Sequence, residues 1–135
     1  MPELTSDQAA AVEVPQRIVA AWAGHDHDAF ADLFTEDAHL ILAGDVFLQG
    51  REAIRTFMAQ AYAGPFKGTR VTGDPLAAKF HGPDFALVVT QGGVLAPGET
   101  EVARERAIRA TWMLARQSGG EWRVAGYQNT PIHAG

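Results

Sequence analysis

Two groups of residues in this chain have the types that chemistry needs. The first is the run His25-Asp26-His27-Asp28, imidazoles and carboxylates side by side, which are donors suited to divalent metals. Two histidines at i, i+2 do not converge as a helical i, i+4 pair does, and an aspartate just ahead of a helical pattern serves as its cap. The run therefore reads as an interhelical loop with Asp28 as the cap, and neither a metal nor another cofactor is expected. His39 sits beside Ile41 in a short apolar run, facing away from Leu40 and Leu42, which sets it for the surface or a subunit contact. His81 falls in a Gly-Pro turn and His133 in the tail.

The second group is polar residues embedded in strand-like segments: Gln91, Arg109, Thr111, Gln128 and Asn129, with Trp22, Tyr62, Phe66, Trp112 and Met113 as apolar wall. Such a mixture is what a small-molecule pocket uses, area from rings and orientation from a few polar groups. Two-residue alternation puts Arg109, Thr111 and Met113 on one face and groups Trp122, Val124 and Gln128 together. Trp112, Tyr127 and Asn129 take the opposite face unless a bulge intervenes. The candidate ligand-binding set is accordingly Trp22, Tyr62, Gln91, Arg109, Thr111, Met113 and Gln128. None of these is a general base at neutral pH, since a guanidinium stays protonated and amides do not titrate, so no catalytic residue is assigned. Glu99, Glu101, Arg104, Glu105 and Arg106 form a solvated connection that could also cover a cavity mouth or join a subunit contact.

These side chains depend on the elements that carry them. Thr5-Ser6-Asp7 offers caps for a helix whose apolar positions Val12, Pro15, Ile18, Val19 and Trp22 run to Gly24, with a kink or a break expected at Pro15. A brief second helix buries Phe30, Leu33 and Phe34. Residues 38–42 and 46–49 read as strands around Gly44-Asp45, and Ile54, Phe57, Met58, Ala61 and Tyr62 mark a third helix that stops at Gly64-Pro65. Strands follow at 69–80, with a bulge or bend near Gly73-Asp74-Pro75, at 85–95, and in a hairpin of 106–116 and 121–130 joined by Gln117-Ser118-Gly119-Gly120. Helices first and strands afterwards imply an α+β domain over 1–135: a curved, mostly antiparallel sheet, cone-shaped, with three helices from the N-terminal half enclosing a cavity.

Composition narrows the function classes. The 135 residues are enough for one core without disulfides, and 47% apolar with 20% charged residues is ordinary for a globular protein. With 11 basic against 16 acidic residues the net charge of −5 disfavours nucleic acid. No apolar run approaches the ~20 residues of a membrane span. The opening MPELTSDQAAAVEV has neither the basic nor the apolar region of a signal peptide, so a cytoplasmic protein is expected. The absence of cysteine removes thiolate chemistry. Outward-facing Trp112, Leu114 and Tyr127 would leave an apolar patch best covered by a homodimer.

The order of elements, with AAWAGHDHDAFADLFTEDAHL, GREAIRTF and GGEWRVAGYQNT, resembles the nuclear transport factor 2-like superfamily. PQRIVAAW, the Pro97-Gly98 loop and WRVAGYQNTP resemble, within it, the SgcJ/EcaC family of natural-product biosynthesis. The resemblance implies a cone with a small-molecule cavity and dimerisation through the outer sheet face. Although members are often labelled oxidoreductases, no redox cofactor motif stands in the chain. The catalytic tyrosine and aspartate of steroid isomerases with this fold fall at Ile18 and Leu42 here, so that chemistry is not implied. Three functions are left: binding of a hydrophobic polyketide- or enediyne-like intermediate, cofactor-free cyclisation, isomerisation or dehydration of one, and a noncatalytic dimeric assembly module.

Overall fold

A computed structural model describes residues 4–132. Helix α1 spans Ser6–Ala23. It starts where the Thr5 side chain accepts from the Gln8 amide while the Gln8 side chain accepts from the Thr5 amide, two orphan donors satisfied at once. Ala11, Val14, Pro15, Ile18, Ala21 and Trp22 form its buried side, and the helix runs unbroken through Pro15, so the break anticipated there does not occur. Packing of the buried ring outweighs the one backbone bond that proline removes. Helix α2 covers His27–Asp32 and is capped by Asp26, not Asp28: Asp26 Oδ1 accepts from the Ala29 amide at 3.0 Å. Asp28 is instead paired with Arg55, at 2.6 Å.

Strand β1 spans Phe34–Leu42 and β2 Val46–Gln49, with α3, Arg51–Ala63, following after Gly50. Phe34 therefore belongs to the first strand and not to the second helix. Its ring is fully buried against Phe30, 5.4 Å between centroids. Ile54, Met58, Ala61 and Tyr62 make the buried side of α3, the i, i+4, i+7, i+8 spacing of a core-facing helix. Arg55 on its outer side bonds Glu52, Asp28 and Asp32, tying α3 to α2. Then come β3 (Arg70–Phe80), β4 (Phe85–Leu95), a short 3₁₀ turn at Arg104–Arg106, β5 (Ile108–Arg116) and β6 (Trp122–Pro131). β5 thus begins two residues later than alternation alone suggests, because residues 104–106 coil.

The six strands form one sheet in the order β2-β1-β6-β5-β4-β3. All neighbours are antiparallel except β1 and β6. The sheet curls around α1 and α3 without closing, since β2 and β3 are its free edges. No described helix is long and apolar enough to cross a membrane.

One irregularity fixes which side chains face inward. β5 and β6 pair Leu114 with Val124 but Met113 with Gly126, so Ala125 is an extra residue, a bulge. Before it Trp122 and Val124 point into the core; after it Tyr127 and Asn129 do, and Gln128 is exposed. Trp112, Leu114 and Tyr127 are buried, at 7%, 0% and 8% exposure, and form no outer patch. The expectation that they cover a dimer face is corrected: Leu114 pairs with core-facing Val124 and Trp112 shares its inner face, while the bulge turns Tyr127 inward. Gly126 beside it leaves room for the tips of Met113 and His39 on the outer face, since a side chain there would come within 2.7 Å of Met113 Cε and 2.8 Å of His39 Cε1 and push them aside.

Trp122, 4% exposed, anchors the start of β6 in the core. Trp122→Ala is expected to cost about 3–5 kcal/mol, measured as a lowered urea midpoint at constant slope. A loss under about 1 kcal/mol would place the indole outside the core.

Candidate functional site

The concave side of the sheet, with α1 and α3, encloses a cavity of about 250 Å³. Each element contributes through its inward alternation: Ile18 and Trp22 from α1, Met58 from α3, Leu40 and Leu42 from β1, Thr90 and Gly92 from β4, Ala110 and Trp112 from β5, Tyr127 and Asn129 from β6. Phe30, Phe34 and Phe66 add apolar wall. Ile18 and Leu42, the places of tyrosine and aspartate in steroid isomerases, do stand in this wall, as hydrocarbon.

The polar groups within it are few and neutral, apart from Arg106. The Trp112 indole donates to Thr90 Oγ1 at 2.9 Å, and the two aromatics Trp112 and Tyr127 lie 4.4 Å apart between centroids. Asn129 Nδ2 donates to the Tyr127 hydroxyl at 2.9 Å. That bond leaves the phenol proton and the Asn129 carbonyl oxygen as a donor and an acceptor for a ligand. Burial pushes the Tyr127 phenol up to about 12, with the Asn129 bond opposing the rise, so the hydroxyl stays protonated throughout the neutral range. No aspartate, glutamate, histidine or lysine lines the cavity among the described residues. The arrangement can therefore hold and polarise a carbonyl, and offers no group to take a proton from carbon.

Of the residues proposed from sequence, Trp22 lines the cavity, its indole donating to Thr69 Oγ1 at 2.9 Å. Tyr62 is buried one layer behind it, edge-on at 5.7 Å, and is no part of the wall. Gln91, Arg109, Thr111, Met113 and Gln128 sit on the outer face of the sheet. There Arg109 Nη2 donates to Gln91 Oε1 at 2.9 Å across a cross-strand pair. On β6 the Ala125 bulge is the reason: an unbroken pleat carries the inward face of Trp122 and Val124 on to Gln128, whereas the extra residue hands it to Tyr127 and Asn129. On β5 the inward face is set by Leu114, the partner of core-facing Val124, together with Ala110 and Trp112, so Arg109, Thr111 and Met113 face out, as does Gln91, the partner of Arg109. Phe66 and Trp112, read as wall, are wall. Thr72, Thr90 and Tyr127 were missed, and Arg106, read as part of a solvated connection that could also cover a cavity mouth, lines the cavity. The signal for Tyr127 was present, since glycine inside a strand, here Gly126, marks a bulge. His39 lies on the outer face, His25 beside Tyr62 with centroids 5.0 Å apart, and His133 outside the described residues.

A family model described as SnoaL-like domain matches residues 16–125. Among solved structures, a domain of unknown function with a cystatin-like fold from Nostoc punctiforme superposes with a TM-score of 0.88 at 28% identity, covering 98% of this chain and 81% of that one. An NTF2-like protein with a cystatin-like fold from Novosphingobium aromaticivorans gives 0.81 at 21%, covering 96% and 84%. A ketosteroid isomerase-like protein from Erwinia carotovora atroseptica gives 0.75 at 18%, covering 97% and 100%. Comparison with curated proteins gave no match.

The chain has two tyrosines, and burial raises both Tyr62 and Tyr127 above the ordinary phenol value of 10.0. Because the folded state holds these protons more tightly than the unfolded one, the stability they contribute is intact below about pH 10 and falls as pH rises toward 12. Phenolate absorbance is expected to stay low at pH 10 in the native protein and to rise there on adding denaturant. A full phenolate signal from the native protein at that pH would show solvated hydroxyls.

Proposed function

We propose that this chain, which belongs to the SnoaL-like domain family, binds a compact, largely apolar small molecule carrying a carbonyl or hydroxyl in the cavity under α1 and α3. The observation that carries the reading is an open cavity with an apolar wall and, at its side, the neutral hydrogen-bonded pair Tyr127 and Asn129. A cone filled by side chains would have favoured the assembly module. Cofactor-free cyclisation, isomerisation or dehydration is the lesser reading. Tyr127 can stabilise a developing oxyanion, but no base lies among the described lining residues to create one. Binding or sequestration is what remains.

The size bears on the ligand class. About 250 Å³ lies above the ~150 Å³ that accepts benzene and below the ~300–1,000 Å³ usual for drug-sized ligands, which favours one or two rings. The resemblance to SgcJ/EcaC proteins supplies the context, a polyketide- or enediyne-type intermediate of natural-product biosynthesis in the cytoplasm, and the volume limits it to a small unit of that kind. Trp22 and Trp112 would cover its faces.

A bicyclic aromatic ketone titrated against tryptophan fluorescence is expected to quench Trp22 and Trp112. Tyr127→Phe should weaken it about tenfold, the worth of one buried hydrogen bond, while Gln128→Leu on the outer face leaves the affinity as it was. Equal affinity in Tyr127→Phe and the parent would remove the proposed polar contact.

Self-association through the outer sheet face belongs to the same reading, with different residues from those inferred from sequence. Leu87 and Met113 are cross-strand partners on that face, Val89 follows on β4, and Ile41 pairs with Phe47, which is 58% exposed. Light scattering at micromolar concentration should give twice the chain mass, and Met113→Glu should give the monomer. A monomeric mass for the parent protein would exclude this face as a stable contact.

A further inference from the structure

We infer that the ligand carries a carboxylate at the end nearest the cavity mouth, and that this carboxylate takes the place of Glu99 on Arg106. The inference rests on the small-molecule reading above and names the chemical class that reading leaves open.

Arg106 is the one residue of formal charge among the described residues lining the cavity. Its guanidinium is held from two sides: Nε donates to the Val94 carbonyl at 3.2 Å, and Nη2 donates to the Glu99 carboxylate. Nη1 takes part in neither bond. A planar fork with one carboxylate already on it is the geometry that accepts a second carboxylate in exchange, and arginine offers two parallel donors for the purpose.

Glu99 is placed to be exchanged. The ion pair is partly solvated, with side-chain exposures of 39% for Arg106 and 33% for Glu99, so breaking it strands neither charge in a dry interior. The Arg106 bond, followed by the bond from the Ala96 amide at 2.7 Å, holds the Glu99 carboxyl below its ordinary value. It is therefore ionised at neutral pH, and the exchange replaces one carboxylate by another on the guanidinium, with the displaced Glu99 left to water and the Ala96 amide. A second guanidinium is close by: Arg70 Nη2 donates to the Glu99 backbone carbonyl at 2.7 Å.

Together these bonds tie the segment from Ala96 to Arg106 to the ends of β3 and β4, with Arg106 on the cavity lining. It lies on bare backbone at Gly93, where a side chain would meet the Arg106 carbonyl at 2.5 Å and Val102 Cγ1 at 2.9 Å. When the ligand carboxylate displaces Glu99, one tie of that segment is cut at the moment the mouth is occupied. The ligand thus has an apolar body of one or two rings, a polar contact at Tyr127 and Asn129, and an anionic end at Arg106.

The test compares naphthoate with its neutral amide, naphthamide, by calorimetric titration of the full chain at neutral pH and low salt. Naphthoate is expected to bind at least about tenfold more tightly than the amide, in keeping with a charge-assisted bidentate contact. Glu99→Gln, which releases Arg106, should raise the acid-to-amide preference further. Arg106→Gln, checked by circular dichroism for folding, should abolish it. A gain of acid affinity on Glu99→Gln is an outcome that mere loosening of the loop does not produce. Binding of the amide as tightly as the acid, or a preference unmoved by Glu99→Gln, overturns the inference and leaves the small-molecule reading standing. Binding of neither probe overturns both.

Discussion

A pleated strand sends alternate side chains to opposite faces, and one extra residue reverses the assignment for everything beyond it. In this protein the extra residue is Ala125. The first part of β6 uses its inward positions for core, Trp122 and Val124, and the last part uses them for Tyr127 and Asn129, which border open space. Without the slip, Gln128 and Thr130 would point into the cavity and the Tyr127 ring would lie in water. Gly126 follows the extra residue, with the side chains of His39 from β1 and Met113 from β5 packed over its bare backbone. The polarity of the cavity depends on the bulge.

What the cavity holds follows from what an apolar enclosure tolerates. An unpaired carboxylate or ammonium there would lose its hydration and either take up partners or change protonation. The inner wall has instead a phenol, an amide and two threonines, each of which remains neutral. Among the described lining residues the one charge, Arg106, stands where water still reaches and has its counter-ion in place. Polarity is graded from a dry wall to a charged rim.

The legible part of the fold was the part set by local chemistry. Periodicity identified α3 from Ile54 to Tyr62, β4 was bounded by Asp84 and the Leu95 end as found, and the Gly-Pro and Gly-Gly turns fell where the chain reverses. The second helix was less legible, since Asp26 and Asp28 are equally good caps by type and only the backbone bond to Ala29 distinguishes them. The site was misread through strand parity. The missed bulge in β6 turned Gln128 inward and Tyr127 outward. On β5 the odd positions Arg109, Thr111 and Met113, with Gln91 opposite Arg109, were read as the inner face, although Leu114 opposite Val124 fixes the even ones there. Trp22 escaped because a helix position is fixed by its own helix and not by a neighbouring strand's register.

The curled sheet has two open edges, and how they are built bears on how this protein behaves when crowded. An exposed edge offers unpaired amides and carbonyls to any passing strand, the usual start of runaway β-polymerisation. Here β2 is only four residues long, too short to template much. β3 is eleven residues long, but it slips register between Pro75 and Ala77, and Pro75 has no amide hydrogen to give. A strand arriving at that edge finds two short ladders out of phase in place of one long one. Both edges thus resist the strand-by-strand growth of a fibril.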